Sequence, residues 1–344
     1  TNCSRHPVIA MTAYIIRRIL WNIPVLILVG FITFGIAKLT PGGPFDTQPE
    51  RRQLSPRVEA ILRERFGMDL PFWRQFTRYM FFDVMRDPRS GEWKIQWGAI
   101  AGNLGPTYTS RGARTVQQEL FEGTPSRPSK FYYSARLGLQ ALAFAVVFGI
   151  PLGVMAALRQ NTWLDYLLSL SSTIFVALGT LITSLILVIV FAVILNWFTV
   201  IPDWSDPVKP WVLPTVALGS TSMAFIARLT RASVLEVKRQ DYIRTAQAKG
   251  LSDQVVIWRH MLKNALLPVV TVLGPALAGL ITGTLFVETI FQVPGMGRTF
   301  VDAIGKRDYS MIMAGSLIYV FFLGIANLLV DIAYGVLDPR ISYK

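Results

Sequence analysis

Six stretches of this chain contain no Asp, Glu, Lys or Arg: Ile19–Ala37, Leu137–Leu158, Tyr166–Pro202, Pro210–Ala227, Asn264–Val287 and Tyr309–Val330. An α-helix rises about 1.5 Å per residue and needs about 20 apolar residues to cross the hydrocarbon core, so each window holds one membrane span. The third is the longest. Its apolar core runs over Leu168–Leu195, with Asn196, Trp197 and Pro202 as an interfacial exit, and one tilted helix is its simplest reading. The fourth starts at a Pro–Trp pair, contains Pro214 and Gly219, and is the softest of the six. The pattern predicts an all-α, polytopic membrane helical bundle.

Charge gives the spans a direction. With the N-terminus inside, the inside segments carry 14 Lys and Arg residues and the short outside segments 203–209 and 288–308 carry 4. This asymmetry predicts N-in and C-in, with residues 38–134 as one large extracytoplasmic loop domain, a length at which its own arginines do not count. The expected layout is therefore a cytoplasmic segment 1–18, a first span 19–37, the outer domain 38–134, a five-helix core 135–341 and a tail 342–344. Residues 1–10 read as a polar extension with Met11 a candidate start. The apolar run after Arg17 and Arg18 is too long for a signal peptide and is read as a retained span.

Composition narrows the class. The 344 residues are 52% hydrophobic and 16% charged, with mean hydropathy +0.43; soluble domains carry about 25% charged residues. The net charge of +13 flanks apolar blocks rather than covering a polar domain, which argues against nucleic acid and for a lipid bilayer. One cysteine, Cys3, and two histidines, His6 and His260, allow neither an intrachain disulfide nor a Cys/His metal cluster. Gly149 with Gly153, and Gly279 with Gly283, are G-x-x-x-G pairs suited to helix packing within the bundle or between subunits, although glycine is also simply common in membrane helices.

Two loops carry more than connection. In the outer segment, Ser55–Phe66 reads as an amphipathic helix and Phe72–Met85 as a second, with Trp93, Trp97, Phe131, Tyr132 and Tyr133 as interfacial anchors. This folded cap suits either a docking platform or a stabilising lid. In the inside segment, Asp241 can cap a helix running to Lys249, Gly250 can end it in a left-handed conformation, and Ser252 can cap a second helix containing Val255, Val256, Trp258, Arg259 and Leu262. The result is a thin basic elbow over 241–264. It suits a groove in another protein, or anionic lipid.

The stretch Y-I-R-T-A-Q-A-K-G-L-S at 242–252, continued by H-M-L-K-N-A-L-L-P at 260–268, closely resembles the cytoplasmic signature of membrane subunits of ABC importers in their oligopeptide, dipeptide and nickel branch. Arg244-Thr245-Ala246 stands where the general signature has E-A-A, and Pro268 comes late; both departures match the peptide branch. Similar stretches are Y-I-I-R-R-I-L-W-N-I-P at 14–24, L-T-P-G-G-P at 39–44, R-F-G-M-D-L-P-F-W at 65–73, G-N-L-G-P-T-Y at 102–108 (with Asn103 where the branch usually has Asp), I-P-L-G-V-M-A-A-L-R at 150–159, E-T-I-F-Q-V-P-G-M-G at 288–297 and N-L-L-V-D-I-A-Y-G-V-L-D-P-R-I at 327–341. The resemblance covers nearly all of 14–341; the Arg86–Trp97 and Arg111–Lys130 regions are less regular.

The resemblance implies that Arg244, Thr245, Ala246, Ala248, Lys249, Gly250, Leu251 and Ser252 form an elbow that couples to a cytoplasmic ATPase, and that His260, Leu262, Asn264 and Pro268 form its return arm. It implies a second homologous permease subunit, two ATPase subunits and an extracytoplasmic substrate-binding protein as partners, in a bacterial inner membrane. The chain has no G-x-x-x-x-G-K-[ST] loop, so no cofactor is expected in it; ATP and Mg2+ belong to the partners. Peptide is the implied cargo, with nickel or another small solute as alternatives. An ion-coupled secondary transporter would place ionisable residues at mid-membrane, and the six windows contain none; Glu288 and Asp331 lie near span ends, Asp331 four residues after Asn327 on one helix face.

Overall fold

The computed structural model describes residues 7–40, 55–86, 93–124, 128–204 and 206–337. The start of the polar extension, the turn at 41–44, the D-P-R-I stretch at 338–341 and the tail lie outside the described residues. Among the described residues, six helices are long and apolar enough to cross a membrane: Tyr14–Leu39, Lys130–Leu158, Trp163–Ile194, Lys209–Lys238, Leu267–Ile290 and Tyr309–Tyr334. They match the six windows one for one, the soft fourth included. The chain divides into two compact units. One takes in Thr1–Arg18, Tyr133–Pro294 and Phe322–Lys344, the other Ile19–Tyr132 and Gly295–Phe321. The second therefore joins the expected outer domain to most of the first span and to a later segment.

The second unit contains α1 (Pro7–Leu39) from Ile19 onward, α2 (Pro56–Phe66), α3 (Phe72–Met80), the strands β1 (Phe82–Arg86) and β2 (Trp93–Trp97), α4 (Val116–Phe121), α13 (Met296–Gly305) and the start of α14 (Tyr309–Leu337). The helix expected to reach Met85 stops at Met80, because Phe82–Arg86 pairs antiparallel with Trp93–Trp97. Aromatic and β-branched residues alternate here, and a two-stranded ribbon satisfies both backbones. Phe34, Phe76, Met80, Met313 and Leu317 form the core, edged by Phe31 and Phe72. Asp308 starts α14: Oδ1 accepts from the Met311 N–H at 3.2 Å and Oδ2 from the Thr109 N–H at 2.8 Å. That is an N-cap serving two segments at once. Asn103 donates from Nδ2 to the Trp97 carbonyl at 3.0 Å and accepts from the Gly105 N–H at 3.1 Å, so its amide uses a donor that an Asp lacks.

The first unit is the helical core: α5 (Lys130–Leu158) from Tyr133 onward, α6 (Trp163–Leu187) prolonged by a π-helical turn at Val188–Ile194, α7 (Lys209–Lys238), the elbow, α11 (Leu267–Ile281) and α12 (Leu285–Ile290). Tyr133, Leu137, Trp211, Leu218, Leu280 and Val287 pack together, with Tyr133 stacked on Trp211 at 5.8 Å. Two spans are not plain helices. Gly179 interrupts α6 at φ 64°, ψ 175°, and α11 parts from α12 at Thr282–Thr284, where Gly283 has φ 97°. The third span is thus one crossing, as expected, but a broken one.

The two glycine pairs also differ. A Cβ on Gly149 would lie 2.9 Å from the Met223 carbonyl oxygen, and one on Gly153 would lie 2.5 Å from that of Ala227, so α5 and α7 touch backbone to backbone there. A Cβ on Gly279 meets nothing within 4 Å, and Gly283 serves the helix break. Gly279 therefore makes no such contact among the described residues.

At the chain's ends, the Tyr14 hydroxyl donates to Asp331 at 2.8 Å and Arg18 pairs with the same carboxylate at 3.2 Å. Asp331 is thus a tie between first and last spans. Asn327, one turn earlier, lies with Oδ1 beside Gly274.

Candidate functional site

The elbow begins where α7 ends at Lys238. Its first arm, α8, runs over Asp241–Ala248. Gln240, not Asp241, holds the N-cap conformation, at φ −71° and ψ 145° with no side-chain cap bond. Asp241 is the first helical residue, its side chain 99% exposed, where its charge complements the helix N-terminus. Ile243 and Ala246 are buried and join Ala157, Val234, Val256, Met261, Leu262 and Ala265 in one apolar cluster. The side chains three apart on one face thus glue the arm to the ends of α5 and α7. The small Ala246 lets the helix lie close.

The stop is complete. Gly250 has φ 77°, its N–H donates to Gln247 O at 2.9 Å, and the Leu251 N–H reaches back to Ala246 O at 3.4 Å. Both bonds of a Schellman motif are present, and the left-handed position falls on glycine, as the sterics demand. The return arm then climbs through α9 (Asp253–Val255), a π-helical stretch (Val256–Met261) and α10 (Leu262–Ala265) into α11. Ser252 takes an N-cap conformation, with the Val256 N–H bonded to its carbonyl at 3.0 Å rather than to its hydroxyl.

The structure brings the two arms together. Asn264 Nδ2 donates to the Tyr242 hydroxyl at 2.8 Å, tying return arm to first arm across the elbow. Leu262 is 6% exposed in the cluster, His260 is half-buried in the π-helical stretch, and Pro268 sits in the first turn of α11, where its missing N–H costs nothing. Arg244, Thr245, Ala248, Lys249, Gly250, Leu251 and Ser252 all point outward. One face of the elbow is therefore fixed and the other is exposed and carries Arg244 and Lys249.

Residues 149–343, which include the whole elbow, match the family described as binding-protein-dependent transport system inner membrane component. The chain belongs to this family. It is 38% identical to the dipeptide transport system permease protein DppB of Bacillus subtilis (strain 168), over 96% of this chain and 98% of that one. It is 33% identical to the oligopeptide transport system permease protein OppB of Haemophilus influenzae, and 34% identical to DppB of Escherichia coli (strain K12), each over 97% of this chain and 100% of the relative. A structure of the MetNI methionine ABC transporter in an inward-facing conformation shares the fold at TM-score 0.50 and 18% identity, covering 61% of this chain and 94% of that one. The chain is thus a multi-pass inner membrane transport component.

Two buried polar contacts of this inner membrane component escaped the charge-free windows. Asp165, in the first turn of α6, is 2% exposed and takes both Nε and Nη2 of Arg231 on α7, at 2.6 and 2.8 Å; the Asn161 N–H adds a third bond at 3.1 Å. Glu288, on α12 inside the fifth span, is fully buried and accepts from the Ser134 hydroxyl on α5 at 2.7 Å. Windows drawn to stop at the first charge place such residues in loops by construction. Their signal is an opposite charge, or a hydroxyl, at matching depth on a neighbouring span.

Proposed function

We propose that this chain is one of two permease subunits of an ABC importer, forming half of the translocation pathway for di- or oligopeptides handed over by an extracytoplasmic binding protein. Energy comes from ATP and Mg2+ held by two partner ATPases; this chain itself catalyses nothing. Its termini face the cytoplasm. The observation that carries the reading is the elbow. Ile243 and Ala246 anchor α8 to the ends of two spans, Asn264 braces it to the return arm, and Arg244, Thr245, Ala248 and Lys249 stand exposed on the other side. A helix so fixed moves with α5, α7 and α11 when a partner seated on its outer face moves. Nucleotide in the partners can shift the spans only if docking differs in free energy between the two pore states. Peptide cargo rests on the dipeptide and oligopeptide systems of the full-length relatives.

The test is reconstitution of the chain in proteoliposomes with its genomic partner permease, ATPases and binding protein. Labelled dipeptide or oligopeptide should accumulate only with ATP. Ala248→Trp puts bulk on the free face without touching the anchored one, so the variant should fold, yet lose ATPase co-purification and uptake together. An Ala248→Trp complex that assembles and transports normally would sink the coupling assignment, and ATP-driven uptake of nickel but not peptide would sink the cargo.

A further inference from the structure

The break in the third span lies halfway along a helix of 32 residues running from Trp163 to Ile194. At φ 64° and ψ 175°, Gly179 occupies a region of backbone space that is essentially reserved for glycine. A helix broken there loses backbone hydrogen bonds at mid-membrane depth, and lipid cannot replace them. Irregular backbone at that depth persists only where protein buries it or where it lines a wet cavity. Part of the repair is local: the Thr183 hydroxyl donates to Gly179 O at 2.8 Å and the Ser184 hydroxyl to Thr180 O at 2.6 Å. Yet a Cβ on Gly179 would meet nothing within 4 Å, so the backbone at the break faces open space rather than a packed neighbour.

What stands beside the break is a cavity of about 240 Å³, lined by Val176 of α6, Thr221, Ser222 and Phe225 of α7, and Val272 and Ala276 of α11 among others. Val176 is three residues before Gly179. Thr180, the residue after it, brings its hydroxyl to 3.5 Å from that of Thr221. The lining is mostly apolar wall, with Thr221 and Ser222 as its hydroxyl residues, and holds no charged side chain among the described residues. Those groups can accept from an N–H or donate to a C=O without choosing a side chain.

We infer that this cavity, about one helical turn from the Gly179 break, is where this chain touches its cargo in transit, and that the groups it meets are the backbone amides of an extended peptide. The inference rests on the importer reading above and adds where on the chain the pathway runs. Neutral hydroxyls suit passage better than charges, because a single neutral hydrogen bond holds a peptide without trapping it.

The test uses the complete reconstituted complex with Cys3 replaced by serine, since Cys3 is the single native cysteine. Thr221→Cys, Ser222→Cys and, as an exposed apolar control in the first span, Leu28→Cys are introduced one at a time and treated with a water-soluble methanethiosulfonate reagent. Positions 221 and 222 should react at least about tenfold faster than 28, and peptide-loaded binding protein plus ATP should slow them. Reaction at the control rate overturns the inference, because the cavity then faces lipid or packed protein. Fast labelling without peptide protection, in a complex that takes up peptide, overturns the peptide contact. The cysteine-free complex judges the importer reading separately, by whether it accumulates peptide at all. Thr221→Val, which keeps shape and loses the hydroxyl, should change the KM or rate of uptake roughly two- to tenfold while leaving folding and ATPase co-purification intact. A variant identical to wild type in uptake overturns the role of that hydroxyl.

Discussion

Replacing Arg231 by methionine strands a carboxylate inside the helical core. The guanidinium holds both oxygens of Asp165, at 2.6 and 2.8 Å, and the two side chains are 30% and 2% exposed. Unit charges about 4 Å apart attract by about 4 kcal/mol at an effective dielectric near 20. Desolvation of both ions offsets much of that, so the intact pair adds little net stability. Removing one partner is different, since the other stays buried with its charge uncompensated, at about 3–5 kcal/mol. The Asn161 N–H still holds one oxygen, and water reaches the exposed part of the Arg231 site, which places Arg231→Met at the lower end, about 3 kcal/mol. That is roughly a hundredfold in the unfolding constant. The assay is an SDS titration of the purified chain in mixed micelles, followed by tryptophan fluorescence. Asp165→Asn should cost less, and the double variant Asp165→Asn, Arg231→Met should be more stable than Arg231→Met alone. Losses that simply add, with a coupling below about 0.5 kcal/mol, would refute the account of the pair as one unit.

Gly153→Leu should cost at least about 1–3 kcal/mol by forcing α5 off the Ala227 carbonyl and Thr230, whereas Gly279→Leu, into open space, should shift the same melting transition by little; equal losses would contradict the packing. Gly250→Val must hold φ near 77° with a β-branched side chain, a strain of about 1–2 kcal/mol, so hydrogen exchange at the Leu251 amide should quicken roughly tenfold, and unchanged protection would mean that the turn does not depend on glycine. Burial pushes the Glu119 carboxyl up, but hydrogen bonds and charge from Lys130 and then Arg114 outweigh it and hold the group below the usual glutamate range. A depressed carboxylate stabilises fully above its unfolded value, about pH 4.5, and the gain is lost as pH falls through the lower folded value. Glu119→Gln should therefore lower stability at neutral pH and shrink the acid-induced loss, read by the melting temperature between about pH 3 and 7; parallel curves for wild type and variant would refute the linkage.

The six spans and the elbow were legible because each rests on a one-dimensional signal. Charge-free windows of sufficient length report spans, and a glycine after an alanine-rich arm reports the stop at Gly250. The exceptions share a cause. Whether Phe82–Arg86 continues a helix or turns into a strand depends on Trp93–Trp97, a partner that local periodicity does not contain. Gly279 and Gly283 have the same spacing as Gly149 and Gly153, yet Gly149 and Gly153 press on a neighbouring backbone while Gly279 meets nothing among the described residues. Asp241 looked like a cap because its type suits one; the helix begins one residue earlier, and Gln240 takes the position. Gly179 is one glycine among 26, and nothing in its neighbours' identity announces that it breaks the span.

The tie between Tyr14, Arg18 and Asp331 sets a schedule for making the protein. Its hydrogen-bonded partners are 317 positions apart, one on the first of the six spans and the other on the sixth. At about 5–20 residues per second, the ribosome delivers Asp331 roughly 15–60 s after Tyr14. For that interval the first helix is in the bilayer with its closing carboxylate not yet made, and Arg18 faces headgroups and water. The contact therefore forms only once Asp331, in the last of the six spans, has been made. A chain that terminates before Asp331 keeps most of its spans but lacks the contact that joins its first helix to its last, which gives a protease a structural basis for telling an unfinished copy from a finished one.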